Sequence, residues 1–487
     1  MADPSALASH IEALGMSRVA CVGDVMLDRF VYGRVERTSP EAPVPILRTD
    51  RDVYMLGGAG NVVRNLVSLG AHATLLSVIG DDEVGRRLTG MVGREERVEP
   101  HLLVERGRIS TEKTRFVAGS QQLLRADSET TEAIRPRSAE SLIGLAGDAF
   151  AACDVVALSD YAKGVLTADL AQRLIEAAHS AGRPVVVDPK GRDYARYAGA
   201  AVLTPNRAEL AQAAGESLES DEAIVAACTR LIARHRLGAI LVTRSRDGMT
   251  LVSADGPVAH LAAEAREVFD VSGAGDTVVA TLAAALGQGI ELRACAELAN
   301  AAAGVAVAKA GTATVGAADL LHAVRAGDLS ASEAKIMPLA AALETVAGWR
   351  ADGQRVGFTN GCFDLLHPGH ISLLRQARQA ADRLVVGLNS DASVRRLKGE
   401  GRPVQGEAAR AQVLASLETV DLVVIFADDT PVRLIEALRP DCLVKGSDYT
   451  VAEVVGADIV QGYGGSVLIA ENEPGYSTTG TIERLRG

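Results

Sequence analysis

The chain has 487 residues, 48% of them hydrophobic and 23% charged, which excludes disordered and fibrous classes and, at roughly 150 residues per domain, suggests two or three domains. A net charge of −12 argues against nucleic-acid partners, which call for a basic footprint, yet local cations and helix ends can still receive anionic substrates. Six scattered cysteines without a C-x-x-C pair, an acidic N-terminus lacking a signal-peptide core, and no apolar run near the ~20 residues of a membrane span predict a reduced, cytoplasmic protein with no membrane partner.

Taken in chain order, short Val/Leu/Ile runs at 18–22, 74–79, 155–158, 184–187, 201–203 and 239–242 alternate with Ala/Leu/Arg-rich helical stretches. The same alternation resumes at 355–358, 383–388, 422–426, 443–444 and 466–469. Strands alternating with helices predict an α/β class with parallel sheets. Residues 30–49 and 110–127 break the rhythm and predict a small antiparallel lid standing off the main sheet. Residues 315–326 and 330–349 read as helices around a joint, which predicts a domain over 1–328, a helical linker over 329–353 and a second domain over 354–487.

In the first part, Asp270-Val-Ser-Gly-Ala-Gly-Asp-Thr277 opens an apolar helix. Free backbone N–H groups of Gly273, Ala274 and Gly275 at a helix N-terminus stabilise phosphate oxygens. Asp276 could take a proton from an attacking alcohol, or it could simply cap the helix. Upstream, Leu56-Gly-Gly-Ala-Gly-Asn-Val62 opens another helix with enough glycine for a sugar to approach the backbone. Thr204-Pro-Asn-Arg-Ala-Glu209 starts a helix with an Asn and a carboxylate suited to hydrated Mg²⁺, and Val242-Thr-Arg-Ser-Arg-Asp-Gly248 ends a strand in a turn. Asn300 and Gly304 sit on a later helix, and Gly311 and Thr312 follow it. Lys190 faces either a ligand phosphate or solvent. There is no G-x-x-x-x-G-K-[ST] motif, which excludes a P-loop kinase.

This series resembles the ribokinase-like (PfkB) carbohydrate kinases. The resemblance implies a mainly parallel sheet with helices on both faces and a β lid over the sugar. It implies Asp276 as catalytic base and Gly273, Ala274 and Gly275 as the anion hole. Asn206, Arg207, Ala208, Glu209, Thr243, Gly248 and Asn300 would line the ATP site, with Glu209 reaching Mg²⁺ through water. Asp24, Asp28, Gly57, Gly58 and Asn61 would face the sugar.

In the second part, Phe358-Thr-Asn-Gly-Cys-Phe-Asp-Leu-Leu-His-Pro-Gly-His370 follows a strand and opens a helix. The i, i+3 spacing places His367 and His370 on one face near the positive helix end, which suits a phosphate; a zinc site with Cys362 is the metal alternative. The pattern N-G-C-F-D-x-x-H-x-G-H is similar to the nucleotidyltransferases typified by glycerol-phosphate cytidylyltransferase. Gly387-Leu-Asn-Ser-Asp391, Lys398-Gly-Glu-Gly-Arg-Pro403, Arg410, Val444-Lys-Gly-Ser-Asp448 and Tyr476-Ser-Thr-Thr479 extend the match over 355–487. The resemblance implies a Rossmann-like domain in which a substrate phosphate attacks the nucleotide α-phosphate directly. His367, His370 and Lys398 would offset the developing charge. Asn360, Gly361, Cys362, Phe363, Ser477, Thr478 and Thr479 would hold the nucleotide.

The two motif sets in tandem resemble the bifunctional heptose-7-phosphate kinase / heptose-1-phosphate adenylyltransferases of Gram-negative bacteria. That family implies ATP and heptose phosphates as substrates, Mg²⁺ as cofactor, ADP-heptose for lipopolysaccharide core as product, and a homodimer. Another phosphosugar kinase fused to a cytidylyltransferase, or a nucleotide-sensing first half without catalysis, are the competing expectations.

Overall fold

The computed structural model describes residues 4–119, 121–263, 271–309 and 313–471. The chain divides into two compact units that meet in sequence at Arg325 and Ala326. Among the described residues the first unit carries a nine-stranded sheet. Its strands lie side by side in the order Ala259–Leu261, Met249–Ser253, Ala239–Thr243, Val202–Leu203, Val185–Asp188, Val155–Ser159, Arg18–Gly23, His72–Gly80 and Val98–Glu105. From Ala239–Thr243 to Val98–Glu105 every pairing is parallel; the two remaining pairings, at the other edge, are antiparallel. The central strands are buried on both faces, which explains their unbroken Val/Leu/Ile runs.

Helices cover both faces, as the α/β reading requires. On one face the Ala274–Gly287 helix is buried from Asp276 to Ala285 and packs among Val62, Leu66, Cys21 and Leu298. Its small Ala side chains permit that depth, and adding methylenes there would overpack the core. On the other face Leu142, Phe150, Leu174 and Leu231 pack on Val156 and Val187.

The stretches that broke the rhythm form a separate four-stranded sheet, ordered Pro45–Gly58, Val25–Thr38, Glu112–Ala118, Gln121–Ser128. The expectation of an antiparallel lid holds for the two hairpin pairings, but Val25–Thr38 and Glu112–Ala118 pair in parallel. Two hairpins distant in sequence can join through either strand sense, and only the tertiary arrangement selects one.

The predicted helices at 315–326 and 330–349 appear with a different break. One helix runs Ala317–Ala334 and the next runs Leu339–Ala351. Pro338 sets the interruption, because it cannot supply an N–H to a continuing helix and it restricts the residue before it. The Met337 N–H bonds instead to the Val423 carbonyl, and Ala342 and Val346 pack against Phe358 and Leu422 of the second unit.

Among its described residues the second unit holds a five-stranded, all-parallel sheet in the order Leu422–Phe426, Arg383–Asn389, Val356–Gly361, Cys442–Gly446, Ser466–Ala470. The strand order reverses beside Val356–Gly361, the position where open α/β sheets receive ligands at their carboxyl ends. No helix among the described residues is long and apolar enough to cross a membrane.

Candidate active sites

In the first unit the strands Arg18–Gly23, Val155–Ser159 and Val185–Asp188 end side by side; Asp24 follows the first, Asp160-Tyr161 the second, and the third ends in Asp188. Asp276 is the third residue of the Ala274–Gly287 helix and is only 3% exposed. Its Oδ2 accepts from Asn61 Nδ2 at 2.8 Å and its Oδ1 from the Tyr161 hydroxyl at 2.7 Å. The carboxylate is therefore engaged across the site, and no side chain caps this helix. Burial pushes its pKa up to about 6, with Asn61 and Tyr161 pulling the other way. The N-cap, Gly273, has φ 80°, a left-handed conformation that suits glycine, and a Cβ at Gly275 would meet open space.

Other residues predicted for the sugar side gather nearby. Asp28 pairs with the Arg115 guanidinium. Asp24 is turned to the chain itself: Oδ2 accepts from the N–H of Tyr161 and Lys163, and Oδ1 from that of Val165. Gly57 and Gly58 make close approaches within the protein. A Cβ at Gly57 would lie 2.4 Å from Asp28 Oδ2, and one at Gly58 (φ 58°) 2.4 Å from the Asp24 carbonyl oxygen. Asp188, a site neighbour that its motif does not single out beside Lys190, is half-buried near Asp276; desolvation and the Asp276 charge hold it well above the usual carboxylate range.

The predicted nucleotide side lies at the ends of neighbouring strands. Asn206 caps the helix Arg207–Ala214: its Oδ1 accepts from the Glu209 N–H at 2.9 Å, and Glu209 Oε2 accepts from the Asn206 N–H at 3.0 Å. Glu209 Oε1 also pairs with Lys190 at 2.7 Å. Thr243 ends its strand against Asn206, and Ala208 lies on the first turn of the capped helix. Arg207 donates to the Leu218 carbonyl. Gly248 leaves room for the Leu261 carbonyl, which a Cβ would meet at 1.9 Å. Asn300 donates to the Ala262 carbonyl at 2.8 Å. Asp270, Gly311 and Thr312 lie outside the described residues.

In the second unit a cleft of about 570 Å³ opens at the carboxyl ends of Val356–Gly361 and Cys442–Gly446. It brings together Asn360, Gly361, Cys362, Phe363, His367, His370, Lys398 and Lys445. His367 is the extended N-cap of the helix Pro368–Gln379, and Pro368 presets its first turn. The two imidazoles stack with centroids 3.8 Å apart, and Phe363 lies 5.1 Å from His370. Burial, then the neighbouring His367, pushes His370 down to about 4; burial also lowers His367. Both rings are thus neutral near pH 7. Among the described residues no group of three or more His, Cys, Asp or Glu is placed to hold a metal, so the zinc alternative finds no ligand set there.

Two ion pairs brace the loops of this cleft. Asp364 pairs with Arg402 at 2.5 Å and accepts the Val404 N–H, which ties the loop after Lys398 to the histidine turn. Arg410, fully buried, donates to the Cys362 carbonyl and to Asp391. Lys445 Nζ donates to the main-chain and side-chain oxygens of Asn360, both at 2.9 Å, and burial lowers its pKa to about 8. Tyr476, Ser477, Thr478 and Thr479 lie outside the described residues.

Sequence reasoning missed Tyr161 and Asp160. The available signal was position: Ser159-Asp160-Tyr161-Ala-Lys163-Gly164 stands at the carboxyl end of a strand buried on both faces, where α/β proteins place ligands.

Matches to known families define a carbohydrate kinase joined to a nucleotidyltransferase. Residues 16–318 match the pfkB family carbohydrate kinases and residues 358–484 the cytidylyltransferase-like family. The chain is 58% identical to the "Bifunctional protein HldE" of Paramagnetospirillum magneticum, with 100% of both covered. It is 57% identical to that of Rhodospirillum rubrum, covering 100% of this chain and 98% of the relative. The structure is similar to phosphofructokinase-2 from Escherichia coli in complex with potassium, with TM-score 0.56 and 18% identity over 64% of this chain and 99% of that one, a likeness of fold. The chain belongs to the HldE family of bifunctional kinase–adenylyltransferases.

Proposed function

We propose that the first unit transfers the γ-phosphoryl group of ATP to O1 of D-glycero-β-D-manno-heptose 7-phosphate. The product is the 1,7-bisphosphate; once a separate phosphatase has hydrolysed its 7-phosphate, the second unit joins the resulting D-glycero-β-D-manno-heptose 1-phosphate to AMP from ATP, releasing pyrophosphate and ADP-heptose. The observation that carries the first half is Asp276, a buried carboxylate with a pKa of about 6 at a helix mouth lined by Gly273 and Gly275. Such a group is ionised near neutrality yet basic enough to take the hydroxyl proton as the sugar oxygen attacks. The helix N–H groups and dipole stabilise the charge on the transferring group.

Both oxygens of Glu209 are already engaged by Asn206 and Lys190, so the fit is to the hydration shell of Mg²⁺ rather than to direct ligation. Bound there, Mg²⁺ would offset phosphate charge. In the second unit the sugar phosphate arrives as an anion, so no base is called for. His367, His370 and Lys398 face the cleft and are placed to stabilise the oxygens on the nucleotide α-phosphate.

The reading extends to a cytoplasmic homodimer. Its supports are six free cysteines and the outer lid strand Gln121–Ser128, which is exposed throughout and presents Leu124 at 59% exposure. Turnover of defined heptose phosphates with ATP and with CTP tests the assignment. ADP release from the 7-phosphate and ATP-dependent pyrophosphate release from the 1-phosphate are expected; preference for CTP in the second step would overturn it.

A further inference from the structure

We propose that Tyr161 is a positioning residue for the kinase base: its phenol orients the Asp276 carboxylate and stabilises it as the anion. This deepens, and rests on, the reading of Asp276 as the group that takes the sugar's proton.

The geometry is specific. Asp276 is held at one oxygen by Asn61 and at the other by Tyr161, both neutral donors. The charged groups facing it give little support. Asp28 from Val25–Thr38 and Asp188 from Val185–Asp188 are acids, and Cys21 from Arg18–Gly23 is a buried thiol that burial and the Asp276 charge keep protonated. Lys113 from Glu112–Ala118 is the cation acting on Asp276, and burial disfavours its own charged form. An anion in that company depends on hydrogen bonds. The Tyr161 phenol is suited to the task, because burial and the Asp276 charge raise its pKa well above 10, so it stays a donor throughout the working range.

The segment that carries Tyr161 is braced for this purpose. The Asp24 carboxylate gathers the N–H groups of Tyr161, Lys163 and Val165 at 2.9, 3.0 and 3.1 Å. Asp160 accepts the Ala162 N–H at 2.7 Å and the Tyr197 hydroxyl at 2.6 Å, and pairs with Arg196 at 3.2 Å. Ala162 sits at φ 53°, a left-handed conformation that a non-glycine residue keeps only when its surroundings insist. The Lys113 ammonium lies 5.5 Å from the Tyr161 ring centre. In the reaction the sugar O–H proton passes to Asp276 as the sugar oxygen bonds to the γ-phosphorus and ADP leaves. The Tyr161 proton stays on Tyr161.

The test uses the full-length protein with Tyr161→Phe and follows kcat/KM for sugar phosphorylation from pH 5.5 to 9. The acid limb is expected to move up by about one to two pH units, the shift that loss of one hydrogen bond to a charged group brings. Activity should recover to within a few fold at pH 9, with the sugar KM there unchanged and adenylyl transfer by the same sample intact. An unmoved limb, a loss equal at all pH values, or a loss confined to the sugar KM would overturn the proposal. Should the Phe variant fail to fold, 3-fluorotyrosine placed at 161 keeps the shape and strengthens the donor; it must move the limb down, and an unmoved limb overturns the proposal equally. Asp276→Asn separates the underlying reading: retained sugar phosphorylation would remove Asp276 as the base, whatever Tyr161 does.

Discussion

The two helix mouths of this protein use one physical effect with opposite sign. At Ala274–Gly287 burial disfavours charge on a carboxylate and raises Asp276 to about 6. At Pro368–Gln379 burial disfavours charge on an imidazole and lowers His370 to about 4. On the proposed reading the first makes a proton acceptor that works near neutrality. The second keeps the paired rings uncharged in the ligand-free protein. The difference follows from the nucleophiles: a sugar hydroxyl must lose a proton to attack, whereas a sugar phosphate is already an anion.

The sharpest way to break this contrast is Asp276→Asn. It should lower sugar phosphorylation by on the order of 10²–10⁴-fold while leaving adenylyl transfer intact, as measured by ADP and pyrophosphate release from one preparation. Joint loss of both activities in a folded protein would end the two-site picture. His367→Ala should lower adenylyl transfer by ~10²-fold, the scale of one lost charge-stabilising donor, and spare the kinase step; near-normal turnover would remove His367 from the chemistry.

A pH titration of the unmodified protein sharpens the comparison further. Asp276 is protonated below its raised pKa, so kcat/KM for sugar phosphorylation should fall about tenfold per unit as pH drops below about 6. In the ligand-free protein the His370 ring should stay neutral until pH nears 4, which an imidazole NMR titration reads directly. The smallest effect belongs to Gly273→Ala. A side chain at φ 80° should cost roughly 1–2 kcal/mol of stability, visible as a lower melting temperature of the first unit.

Much of the protein is legible in its amino-acid sequence. Gly273-Ala-Gly-Asp276 and His367-Pro-Gly-His370 each fall within one helical turn, so local backbone rules expose them, and buried strands announce themselves as unbroken apolar runs. The roles of neighbouring glycines are less legible. Gly57 and Gly58, whose spacing suggests room for a ligand, also leave room within the protein for the Asp28 carboxylate and the Asp24 carbonyl, which the spacing does not announce.

Sequence by itself determined the class of each half, the buried central strands and the two helix mouths, because those depend on residues close in sequence, while the strands Val98–Glu105, Met249–Ser253 and Ala259–Leu261 escaped it. Tertiary structure alone decided the company each group keeps. Tyr161 and Asn61 reach Asp276 across 115 and 215 residues, and the two lid hairpins pair in parallel through strands that run from Leu27 beside Glu112 to Gly33 beside Ala118, far apart in sequence throughout. Parallel strands bring their carboxyl ends to one edge wherever they fall in the chain. What burial does to a charge depends on what has gathered there, and periodicity carries no record of that.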